Sequence, residues 1–145
     1  MSPRLPLASA RARYALVVLW AGYVLAASTV DPPAGGLPPG GPLGLVGFDK
    51  WLHALTYAAM ALLVAYALVA RTPRSLALAG ALAVAYGAGI EVVQAFLPLR
   101  AFDTADALAN AVGAAIGAVA WSALTRIAPL PADRGGFTGA SDSEG

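Results

Sequence analysis

Four stretches of this chain are long enough and apolar enough to cross a bilayer, and that limits its folds more than any other feature. They are Tyr14–Val30, Trp51–Ala70, Leu76–Leu97 and Ala107–Leu124. A helix needs roughly 17–25 mostly apolar residues to span about 30 Å of hydrocarbon. Composition agrees with the runs. Of 145 residues, 59% are hydrophobic and only 12% charged, and the mean hydropathy is +0.69. An ordinary soluble domain carries about 25% charged residues. A soluble fold of this size made from this chain lacks the polar side chains to cover its surface. The reading is therefore a single domain of the all-α class: a polytopic integral membrane protein with four transmembrane helices in an up-down-up-down bundle.

The ends of the runs have mechanical causes. Asp31-Pro32-Pro33 follows the first, Arg71-Thr72-Pro73-Arg74 the second and Pro98 the third, while Arg126 and Pro129 close the fourth. Proline lacks an amide donor and restricts the residue before it, so helices stop nearby. Orientation follows from the basic residues in the short connections. With the N-terminus inside, the cytoplasmic side holds Arg4, Arg11, Arg13, Arg71, Arg74, Arg126 and Arg134, and the outer side only Lys50 and Arg100. Both termini are thus expected in the cytoplasm of a cell bounded by this plasma membrane. The basic start and the Ala26-Ala27-Ser28 segment also suit a signal peptide, but the 17-residue apolar run favours an uncleaved helix. Residues 1–13 read as a basic cytoplasmic N-terminus, 14–128 as the transmembrane domain and 129–145 as a disordered cytoplasmic tail. The Gly- and Pro-rich segment Asp31 to Phe48 reads as an irregular outer loop.

Composition also excludes whole classes of chemistry. A formal net charge of +1 offers nothing to nucleic acid. With no cysteine, the chain has no disulfide, thiol nucleophile, Cys-ligated zinc or iron–sulfur cluster.

The remaining polar residues are unevenly placed. Asp49, Lys50 and His53 open the second run, Glu91 and Gln94 lie near the end of the third, and Arg100, Asp103 and Asp106 precede or begin the fourth, which Asn110 continues. In the predicted topology all of these fall at the outer face. Asp49, His53 and Tyr57 are spaced i, i+4, i+8 and form one helical stripe; Glu91 and Gln94 share a face, as do Asp106 and Asn110. Glu91 lies six residues before Leu97, roughly 9 Å below that helix end at 1.5 Å per residue. A carboxylate there must face the bundle and either carry a proton or find a cation, with Arg100, His53 and Lys50 as candidates. Asn110, Gly113 and Gly117 mark a small-residue face suited to close helix contact.

These residues carry a family resemblance. Phe48-Asp49-Lys50-Trp51-Leu52-His53 through Tyr57, then Glu91-Val92-Val93-Gln94 with Pro98 and Arg100, then Asp103 and Asp106 through Asn110, Gly113 and Gly117, stand in the order and spacing of VanZ-like membrane proteins. The resemblance runs from Phe48 to about Gly117. It implies a small polytopic membrane protein of the cell envelope. The name-giving member is associated with resistance to the glycopeptide teicoplanin.

The residues support three functional readings. One is a binding site at the outer face for a lipid-linked or cell-envelope molecule, with Lys50 and Arg100 holding an anionic headgroup and Asp49, Tyr57, Gln94, Asp103, Asp106 and Asn110 completing a polar pocket. The second is a membrane-embedded enzyme in which His53 and Glu91 act as acid and base. In either, Asp103 and Asp106 with Asn110 offer hard oxygen ligands to a divalent cation. The third makes the polar residues interhelical glue, each worth about 1 kcal/mol or less, with Asp49, Asp103 and Asp106 as helix caps. The third reading accounts for single residues, but not for their gathering from three helices at one face. Transport by one chain is disfavoured, because the cytoplasmic half lacks the polar groups a pathway needs.

Overall fold

The computed structural model describes residues 4–30, 40–96 and 103–131. They form four α-helices: α1 (Ala10–Thr29), α2 (Phe48–Ala67), α3 (Pro73–Ala95) and α4 (Thr104–Ile127), with a short 3₁₀ turn at Pro42–Gly44 before α2. There is no strand among the described residues. The all-α expectation therefore holds.

Three of the helices, α1, α3 and α4, are long and apolar enough to cross a membrane. They make this a membrane protein, as the composition implies. The expected fourth span, α2, does not join them on that measure. It opens on Asp49, Lys50 and His53, polar residues that lie before or just inside the apolar run.

Every helix starts three or four residues earlier than its apolar run, and at α1, α3 and α4 the side-chain caps explain why. The Ser9 side chain accepts the Ala12 amide at the start of α1. Thr72 and Ser75 exchange bonds in a capping box at α3, with Pro73 in its first turn. Asp103 accepts the Ala105 amide at 2.8 Å to start α4. Caps and first turns are polar because free amides there need acceptors, so an apolar run begins after the helix does. As a result Arg11 and Arg13 lie on the first turn of α1.

Two contacts involve the ends. Leu5 is buried, and its amide bonds to the Pro129 carbonyl; Arg71 donates to the Pro131 carbonyl. The described residues just before α1 and just after α4 are thus tied to each other and to the α2–α3 turn. The rest of the expected tail, from residue 132, and most of the expected outer loop lie outside the described residues.

α2 is the central helix, packed against all three others. Its tightest partner is α4. A Cβ built on Gly113 or Gly117 would collide with the carbonyl oxygens of Ala54 and Ala58 respectively. Two glycines four residues apart on α4 thus face two alanines four residues apart on α2, in the same chain direction. Such small-residue faces are how helices gain contact without an aqueous hydrophobic drive. α1 runs antiparallel to α2, with Trp20 Nε1 on the Thr56 carbonyl at 3.3 Å and Arg13 Nε on that of Ala67 at 3.4 Å. It runs parallel to α3, with Tyr86 Oη on the Ala21 carbonyl at 2.5 Å and Gln94 Nε2 on that of Ser28 at 3.0 Å. The ends of α1 and α3 therefore lie beside the starts of α2 and α4. Tyr57, Met60, Val64 and Trp121, set among alanines, form the core. The buried Trp121 indole donates to the Ala70 carbonyl at 2.9 Å.

Candidate functional site

The beginnings of α2 and α4 and the last turns of α3 meet at one end of the bundle, and this end holds the polar residues. Lys50, in the first turn of α2, is the hub. Its ammonium lies 2.9 Å from Asp49, 2.6 Å from Asp103 and 2.5 Å from Asp106. An ammonium has three N–H donors, and here each carboxylate can take one. Asp103 and Asp106 come from α4, so the lysine ties the mouths of the two helices. Its ammonium also holds the carboxyl of Asp103 below the usual aspartate range.

One turn deeper, His53 Nδ1 lies 3.0 Å from Asn110 Oδ1 and its Nε2 lies 3.6 Å from Asp106 Oδ1. A carboxamide oxygen only accepts, so Nδ1 carries the proton and Nε2 is the atom turned toward the carboxylates. Asn110 is 2% exposed. Its amide nitrogen and the Tyr57 ring both pack closely over Gly87, where a Cβ would approach both to about 3 Å.

Glu91 reaches the same place from α3. It is 1% exposed, and Oε1 has no hydrogen-bond partner. The ligand atoms of His53, Glu91 and Asp106 all lie within 4.8 Å of one another. Four carboxylates (Asp49, Glu91, Asp103, Asp106) thus surround one lysine and one imidazole.

Not every expected site residue is in this cluster. Gln94 is 6% exposed and spends its amide on the Ser28 carbonyl, so it joins α3 to α1. Tyr57 is 2% exposed and belongs to the core beneath the site. Asp103 and Asp106, expected to act together on a cation, share Lys50 and differ in their other partners. Asp103 caps α4 and binds Lys50, while Asp106 faces both Lys50 and the His53–Glu91 pair. Arg100 lies outside the described residues.

Sequence reasoning also missed two features. The convergence of three aspartates on Lys50 depends on α2 and α4 running side by side, which no local spacing encodes. Trp51, at the start of the second apolar run, has its indole against Gly41, where a Cβ would overlap it. Gly41 also bonds its amide to the Val46 carbonyl, so the turn before α2 folds back over the first helical turn. Proximity of a glycine and a tryptophan in the sequence is the only signal that pointed there.

Comparison with known proteins gives one match. The family model described as VanZ/LLP1 matches residues 7–125. No curated protein and no solved structure matches.

Proposed function

Since this chain belongs to the VanZ/LLP1 family, we propose that it is a four-span protein of the plasma membrane whose outer mouth binds a lipid-linked component of the cell envelope. The observation that carries the reading is the convergence of Lys50, His53, Glu91, Asp103, Asp106 and Asn110 from three helices on one end of an otherwise apolar bundle. Intramembrane or interfacial polar clusters are costly and are retained for function. In this topology both termini are cytoplasmic. α2 crosses as the inner helix, and its polar opening sits at the outer surface, where water reaches it.

A second feature supports a lipid-like ligand. An apolar groove of about 480 Å³ runs between α3 and α4, lined by Leu76, Ala77, Gly80, Val84, Ala114 and Val119 among others. Its lining includes Ala111, next to Asn110. A ligand with its headgroup at the polar mouth has a seat for an acyl or isoprenyl chain alongside.

The experiment is native mass spectrometry of the full chain in detergent, with an isoprenyl phosphate and phosphatidylglycerol as competing probes. Retention of the isoprenyl phosphate, reduced at least about tenfold in Lys50→Gln, is expected. Equal retention by Lys50→Gln, or preference for neither probe, overturns the reading. Expression of the wild type and of Lys50→Gln in a teicoplanin-sensitive host tests whether the resistance associated with the name-giving member extends to this chain.

The placement of His53 and Glu91 within one small space favours a second reading, an acid/base enzyme on the same ligand class. Turnover of the retained lipid by the wild type, abolished in Glu91→Gln, distinguishes it from binding alone.

A further inference from the structure

We propose that His53, Glu91 and Asp106 form a binding site for a divalent transition-metal ion at the mouth shared by α2, α3 and α4. Their ligand atoms lie within 4.8 Å of one another. Ligands held at about 2.0–2.2 Å from a tetrahedral ion stand about 3.3–3.6 Å apart; His53 Nε2 and Asp106 Oδ1 are already 3.6 Å apart, and Glu91 has at most about 1.5 Å to close.

Three independent observations point to an ion rather than to an accidental cluster. The first is Glu91. It is 1% exposed, and Oε1 meets no donor. A buried carboxylate oxygen without a partner is costly, and a cation removes that cost. The second is the imidazole. The bond from Nδ1 to Asn110 Oδ1 at 3.0 Å turns Nε2 toward Asp106. Metal-bound histidines are held this way, by a second hydrogen bond that fixes tautomer and ring angle. The third is charge. Lys50 is already shared among three aspartates, so the described residues offer Glu91 no lysine or arginine of its own.

The donor set selects the ion. One imidazole and two carboxylates suit zinc, manganese or cobalt, whereas magnesium and calcium prefer all-oxygen ligands. The site therefore differs from the Asp103–Asp106–Asn110 oxygen set that the sequence suggests. Access is open, because the side chains of His53 and Asp106 are 24% and 19% exposed at the helix mouth. Three protein ligands leave a coordination position for water or for an oxygen of a bound molecule. The ion site does not depend on which envelope molecule binds.

The test uses the full chain without a histidine tag, purified in detergent and stripped with EDTA. Co²⁺ is titrated while its visible ligand-field bands are followed, and Zn²⁺ is then added as a competitor by calorimetry. One ion per chain is expected. The isosteric variants Glu91→Gln and Asp106→Asn should weaken it by at least about tenfold. Asn110→Ala should cost roughly 10- to 100-fold while keeping the stoichiometry. Helical circular dichroism checks that each variant is folded. An unchanged Co²⁺ spectrum in folded Glu91→Gln and Asp106→Asn, no Co²⁺ or Zn²⁺ binding by the wild type, or binding of Mg²⁺ in their place, overturns the proposal.

Discussion

Single residues at the mouth divide into those with a full set of partners that join helices and those with a buried atom left unpartnered. Lys50 and Asp103 are of the first kind. Asp103 has its carboxyl held below its ordinary value of 3.8 by the Lys50 ammonium and, next, by the Ala105 amide. The linkage has a definite sign. In the unfolded chain the carboxyl takes up its proton first as pH falls. The contact therefore contributes fully above about pH 4 and is lost as pH drops through the lower folded value. The Asp103 contribution to the melting temperature of the detergent-solubilised chain should be flat down to about pH 4 and fall below it. Asp103→Asn, which keeps the helix cap, should make that acid fall shallower; identical acid limbs would show that the Lys50 contact adds nothing. Glu91 is of the second kind. Sequence position alone required it to face the bundle and seek a proton or a cation. Which groups it would face depended on packing, and among the described residues these are His53 and Asp106.

Helix identity was legible at the scale of elements, and helix starts were not. Apolar runs report the membrane-facing and core-facing turns, whereas the first turn is set by capping groups such as Ser9, Thr72 and Asp103. The α2–α3 turn shows the same limit. Ala70 bonds its amide to the Ala65 carbonyl and Val69 to that of Tyr66, the paired bonds of a Schellman stop. That motif needs a left-handed residue, and Val69 supplies it at φ 51°. A β-branched residue is strained there, where glycine is not. Val69→Gly should therefore stabilise the chain by about 1 kcal/mol, measured as a rise in thermal midpoint in detergent. A fall would mean that the valine side chain contributes more than its backbone costs. The Gly113–Gly117 pair was visible in the sequence as a small-residue face. Its partner, the Ala54–Ala58 face of α2, emerged only from the packing.

For the whole molecule, the arginine distribution and the alternation of helix directions lead to the same arrangement. Reporter domains inserted after Gly41 and after Arg74 should lie on opposite sides of the membrane, as judged by an enzyme active only outside and another active only inside. The same side for both would exclude α2 as a span. Taken alone, the sequence determined that this is an all-helical membrane protein, roughly where its long helices lie, and the family to which its motifs belong. These properties follow from local sums: hydropathy along a run, prolines at its ends and fixed spacing within a motif. Only the tertiary structure decided that Lys50 gathers three aspartates, that Gln94 bonds the Ser28 carbonyl while Tyr57 lies in the core, and that His53, Glu91 and Asp106 share one space. Those facts depend on the register between α2, α3 and α4. That register is set by glycines and alanines letting backbones touch, and no single helix contains it.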